Sequence, residues 1–123
     1  MREPTSGPLV SVVIPAYNQA QFLGDAIRSV LGQTYDRWEI LVVNDASPDD
    51  TTSVVRGFRD PRIRLIGHER NRGLPAARNT AIRASAGDVI ALLDADDYFH
   101  PGKLEAHVEF LSRRPEIDVT YNA

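Results

Sequence analysis

The chain of 123 residues contains no cysteine, so disulfide bonds and thiolate metal sites are excluded. It has three histidines, His68, His100 and His107, at spacings that match no zinc site, so any bound metal should be hard and oxygen-liganded. No apolar run is long enough for a signal peptide or a membrane span, and by default the chain reads as cytoplasmic, with any contact to the inner membrane face left to regions outside it. Charge of one sign is also scarce. The formal net charge of -3 gives no electrostatic reason to expect nucleic acid as a partner. A single lysine, Lys103, stands among the basic residues, an imbalance that reads as base composition of the coding sequence. Neither G-x-G-x-x-G after the first apolar run nor G-K-[ST] occurs anywhere, which weakens nicotinamide, flavin and P-loop readings.

What is present is an ordinary globular composition, 42% apolar and 25% charged, in one domain's length. Residues 1–8 read as a flexible lead-in and 9–123 as the domain. Leu9 to Ile14 is β-branched and apolar, as in a strand covered on both faces, with Pro15 expected to stop it. Phe22, Leu23, Ala26, Ile27, Val30 and Leu31 recur at helical steps. Trp38 to Val43 predicts a second strand. Ser47-Pro48-Asp49-Asp50 then resembles a helix start, with Ser47 as the cap and Val54, Val55 and Phe58 as the buried face. Ile63 to Ile66 predicts a short strand, and Leu74 to Ala86 an alanine-rich helix ended by Gly87. Val89 to Leu93 predicts a fourth strand. Pro101 to Arg114 predicts a helix with Leu104, Val108 and Leu111 inward, and a fifth strand begins at Ile117, Val119 and Tyr121. This alternation argues for an α/β fold with a mostly parallel sheet and helices on both faces. Because the sequence stops within the fifth strand, the domain is expected to be truncated, with an exposed sheet edge open to self-association.

Three polar clusters lie just past strand ends: Tyr17-Asn18, Asp45, and Asp94-Ala95-Asp96-Asp97. In a parallel sheet those ends share the edge where open α/β folds bind ligands. Clustered carboxylates repel one another unless a cation sits among them, and a divalent ion carrying a phosphorylated ligand answers that need. Tyr17 suits stacking on a base, Asp45 suits accepting a hydrogen bond from it, and Arg78 offers a permanent cation to phosphate oxygens. Plainer readings stand beside these. Tyr17 can be a packing aromatic, Asp45 a helix cap, Arg78 a solvated side chain, Asn18 a turn residue and Asp97 a cap. His100 and His107 read as surface or helix-face residues.

Val10 to Asn18, Glu39 to Ser47, Asn71 to Asn79 and Leu93 to Asp97 together, in this order, resemble the family 2 glycosyltransferases over about residues 9–121. The resemblance implies a GT-A, Rossmann-like fold and transfer of a sugar, with inversion, from a nucleoside diphosphate sugar such as a UDP-sugar. It implies a base pocket of Pro15, Tyr17 and Asp45, with Asn18 among the residues that bind the nucleotide sugar, Arg78 near the nucleotide and Asp94 and Ala95 along the ribose. The Asp94-Ala95-Asp96 segment would be the D-x-D motif, with Asp96 and Asp94 holding Mg2+ or Mn2+. The acceptor, whether a carbohydrate, a lipid-linked glycan or a protein, and the catalytic base would lie in the half of the domain that follows, and the chain alone would then lack transferase activity. The alternative is a non-catalytic nucleotide-binding or protein-interaction module that keeps the fold.

Overall fold

The β-branched run near the start forms β1, Val10–Ala16, in a computed structural model that describes residues 7–113 and 119–121. The expected lead-in over 1–8 therefore lies, apart from Gly7 and Pro8, outside the described residues, as do Arg114 and Ile117. Eight further elements follow in alternation: α1 (Ala20–Leu31), β2 (Trp38–Asn44), α2 (Thr51–Arg56), β3 (Ile63–Gly67), α3 (Leu74–Ala84), β4 (Val89–Leu92), α4 (Lys103–Arg113) and β5 (Val119–Tyr121). The sheet order is β3-β2-β1-β4-β5, and each of the four pairings is parallel. The chain thus winds outward from β1 to β3, then returns across β1 to lay β4 on its other side.

Alternation along β1 divides the core. Val10, Val12, Ile14 and Ala16 pack with Leu23, Ala26, Ile27 and Val30 of α1, Val55 of α2 and Leu104 and Leu111 of α4. Val13, with Leu41, Val43 and Leu92, packs on the opposite face against Ala77 and Ala81 of α3. Small alanine side chains allow α3 to lie close to the sheet. Both faces of β1 and β2 are covered, which is why these strands read as continuous apolar runs.

Several local expectations are corrected. Pro15 does not stop β1, which pairs on through Pro15 opposite Val43 and Ala16 opposite Asn44. Val13 accepts from Leu93 N–H on the β4 side, while Ala16 accepts from Asp45 N–H on the β2 side. Pro15 shares the parity of Val13, so its missing N–H faces the side where the β4 pairing has already run out at Val13 opposite Leu92. Phe22 and Leu31 lie at the margin of the α1 stripe and are exposed. Ser47 does not cap α2, which begins at Thr51 after Asp50 with no side-chain cap. Gly87 does not end α3, which stops at Ala84 with Ser85 extended. Instead Gly87 donates its N–H to Ser11 Oγ at 2.8 Å, and Ala86 N–H donates to Glu39 Oε2 at 2.7 Å. Ser11 Oγ in turn donates to Glu39 Oε2 at 2.6 Å, so a buried polar pair on the strands satisfies the chain leaving α3. In α4 it is His107, not Val108, that joins Leu104 and Leu111 among the buried residues. Burial, helped by the neighbouring Lys103 charge, pushes the His107 imidazole down to about 4.

Candidate functional site

The carboxyl ends of β1, β2 and β4 lie along one edge of the parallel sheet, and the loops that follow them border a crevice there. A cleft of about 400 Å3 lies there. It is lined by Pro15, Ala16, Tyr17 and Gln19 from the end of β1, Asp45 from the end of β2, and Asp94, Ala95 and Asp96 from the end of β4. Asn71, Gly73, Leu74 and Ala77 of the turn into α3 close the remaining wall. Of the residues singled out in the sequence, Pro15, Tyr17, Asp45, Asp94, Ala95 and Asp96 come together, although 81 positions separate the first from the last.

Asn18 and Arg78 are not on that lining. Asn18 takes a left-handed backbone (φ 56°) and donates its N–H to Ser47 Oγ at 2.7 Å, facing a separate hollow with Gln21 and Asp49. Arg78 reaches the rim through Asp94, with Nη2 3.3 Å from Asp94 Oδ1. Its Nε is buried and, among the described residues, has no hydrogen-bond partner.

Tyr17 is held by its neighbours and not by its own ring, which is 47% exposed on the cleft. Ser47 Oγ, which accepts from Asn18 N–H, donates to Asp49 Oδ1, and Asp49 Oδ2 accepts from Ala20 N–H at 2.9 Å. The loop after β2 thus fixes both the β1–α1 turn and the start of α1. Burial works against the charge on Asp49, but the Ser47 and Thr51 hydroxyls and the Ala20 N–H outweigh it and hold the carboxyl down at about 2.

Asp45 is 2% exposed, and four donors converge on it. Oδ1 accepts from His68 Nδ1 and from Arg72 N–H, both at 2.8 Å, and Oδ2 accepts from Gly73 N–H at 2.9 Å and Asn71 Nδ2 at 3.1 Å. Desolvation raises its carboxyl, yet the His68 hydrogen bond and the two backbone N–H groups leave it below the ordinary carboxylate range. Gly73 takes φ 93°, a backbone that an L side chain resists, so the turn can aim two successive N–H groups inward. His68 continues to Thr80 Oγ1 through Nε2, at 2.8 Å. Sequence reasoning passed over His68, Asn71 and Thr80. The rule that flagged Tyr17, Asp45 and Asp94 would have found the first, since His68 directly follows the carboxyl end of β3.

The acid cluster is open to solvent, apart from the buried Ala95. Asp97 accepts from Tyr98 N–H at 2.8 Å and turns away from the cleft lining. Among the described residues no three acidic or histidine groups form a complete metal cage. Two exposed carboxylates, Asp94 and Asp96, on a cleft wall fit a Mg2+- or Mn2+-type ion that completes its shell with ligand phosphates and water.

Comparison with known proteins identifies the family and the fold. The model of the family described as glycosyl transferase family 2 matches residues 11–122. An Escherichia coli UDP-Glc:alpha-D-GlcNAc-diphosphoundecaprenol beta-1,3-glucosyltransferase, WfgD, is 43% identical over 103 residues, covering 84% of this chain and 41% of the relative. The mannosyltransferase PcManGT from Pyrobaculum calidifontis, solved with GDP-Man and Mn2+, superposes with a TM-score of 0.80 at 32% identity, over 91% of this chain and 34% of that one. TarS of S. aureus, solved over residues 1–349 with UDP-GlcNAc, gives a TM-score of 0.79 at 28% identity, over 85% of this chain and 31% of its own. The chain spans 43% or less, and in places as little as 14%, of the length of the curated relatives it matches.

Proposed function

The chain belongs to glycosyl transferase family 2 and has the GT-A fold, and on that premise we propose that it forms the donor-binding part of an inverting, metal-dependent transferase that uses a UDP-sugar. The observation that carries this reading is the convergence of Tyr17, Asp45, Asp94 and Asp96 on one cleft from the ends of three parallel strands. The exposed face of Tyr17 stacks on the base, over the apolar floor of Ala16, Leu74 and Ala77. Asp45 accepts the imide N–H of the pyrimidine. All four of its acceptor positions are occupied, and Asn71, the longest contact and an exposed side chain, is the donor that yields. Ala95 and Asp94 run along the ribose. Arg78, drawn to the rim by Asp94, offers the exposed part of its guanidinium to the phosphates.

Asp96 and Asp94 would hold a Mg2+ or Mn2+ ion, which would supply positive charge to the departing diphosphate. Inversion requires a base to deprotonate the acceptor hydroxyl, and no described residue of the cleft is assigned that role. The acceptor, a carbohydrate, a lipid-linked glycan or a protein, engages the part of the protein that completes the groove. UDP is favoured over GDP because the relative WfgD takes UDP-Glc and TarS was solved with UDP-GlcNAc, although PcManGT holds GDP-Man.

Calorimetric titration of the full-length protein with UDP, with and without Mn2+, tests this. Binding should need the metal and weaken at least about tenfold in Asp96→Ala, which removes one of only two carboxylates at the ion. If UDP, GDP and dTDP all fail to bind with metal present, the reading is wrong and a protein-interaction module takes its place.

A further inference from the structure

We propose that His68, held in turn by Thr80, is a positioning residue that fixes the Asp45 carboxylate so that the cleft can tell one base from another. The inference rests on the reading of Asp45 as acceptor of the base imide. Neither His68 nor Thr80 lines the cleft, so neither is placed to touch the nucleotide.

An ionised carboxylate has lone pairs and no hydrogen to give. It only accepts, so His68 Nδ1 carries the hydrogen in their 2.8 Å contact. The other ring nitrogen, Nε2, pairs with the Thr80 hydroxyl, also at 2.8 Å. The two contacts hold the imidazole at both ends, and its side chain is only 5% exposed. Three elements are thereby tied: the end of β2 through Asp45, the end of β3 through His68, and α3 through Thr80.

The other fixed donors to Asp45, Arg72 N–H and Gly73 N–H, come from one turn and act on different oxygens. Both therefore hold the carboxylate only as well as that turn is itself held. His68, anchored on β3 and α3 and not on the turn, adds an independent restraint on Oδ1 and keeps the lone pair now given to Asn71 aimed at the cleft. A carboxylate locked in this way accepts from uracil, whose N3 carries a hydrogen. It repels cytosine, whose N3 is itself an acceptor. A carboxylate free to turn loses that contrast.

The test is the ratio of UDP to CDP affinity in the full-length protein with Mn2+, measured by calorimetry for wild type and four variants. An asparagine at 68 places its nitrogen close to the position of Nδ1, whereas a glutamine reaches toward that of Nε2. We expect His68→Asn to keep the ratio within about threefold of wild type, and His68→Gln and His68→Ala to lower it at least about tenfold. Thr80→Val, nearly isosteric, should fall between them. Melting temperatures measured alongside separate loss of fold from loss of aim. If His68→Ala or His68→Gln retains the wild-type ratio, or if all variants lose stability with the ratio unchanged, His68 is a packing residue and the proposal is overturned. Should His68→Ala and His68→Gln fail to fold, Thr80→Val decides alone, and an unchanged ratio overturns the proposal. A wild-type protein that binds both nucleotides equally, or neither, instead overturns the reading of Asp45 on which the inference rests.

Discussion

His68 Nδ1 lies 2.8 Å from Asp45 Oδ1, joining the residue that follows β2 to the residue that follows β3 beneath the floor of the cleft. The contact gives the acid at the centre of the site a fixed direction. It also shows that the cleft is built in two layers: residues that face a ligand, and residues that hold them.

Tyr17 belongs to the outer layer. It is 47% exposed, so Tyr17→Ala should leave the melting temperature within about 1–2 °C of wild type, as for a surface change. UDP affinity should fall about 5- to 150-fold, the range set by about 1–3 kcal/mol of stacking per base. An unchanged dissociation constant would remove Tyr17 from the base pocket.

Asn71 occupies the acceptor that the imide is proposed to take, at 3.1 Å from Asp45 Oδ2. Asn71→Ala should therefore tighten UDP binding about 2- to 10-fold, corresponding to the net worth of one hydrogen bond no longer broken on binding. Weaker binding would mean that Asn71 contacts the nucleotide directly or that the turn needs its side chain.

Gly87 sits against β1 with no room for a methyl group. A Cβ there would meet Ser11 Oγ and lie 2.8 Å from both Leu9 O and Ser11 N. Gly87→Ala should cost about 1–3 kcal/mol, read as a shift in the urea midpoint at constant m. A midpoint equal to wild type would show that the α3–β4 connection can move aside, at odds with the Ser11–Glu39 pair that holds it.

Stability should fall with acid in two separate steps. Folded His107 titrates near 4 against an ordinary 6.5, so between these values the unfolded chain takes up a proton that the folded one refuses. Stability is full above pH 6.5 and declines toward pH 4. Asp49, at about 2 against 3.8, and Asp45, also lowered, contribute stability that is present above pH 3.8 and lost as pH falls through their folded values. Denaturant midpoints measured against pH should show both steps, and His107→Gln should flatten the first alone. A first step that survives that substitution would place its origin elsewhere.

The sequence by itself determined the order of strands and helices, because period and composition report burial wherever an element has one apolar face or two. It also marked Tyr17, Asp45, Asp94 and Asp96, since each stands just beyond an apolar run and the carboxyl ends of parallel strands share one edge. Only the tertiary structure decided the rest. Pro15 continues a strand because its neighbour strand ends first, and no local signal records where a partner stops. Ser47 serves the turn beside Tyr17 and not its own helix, because the α1 loop lies nearer to it in space than α2 does along the chain. His68 and Thr80 carry no spacing that links them to Asp45. Their hydrogen bonds form across three loops and helices, and it is the parallel packing of β2, β3 and α3 that brings them within reach.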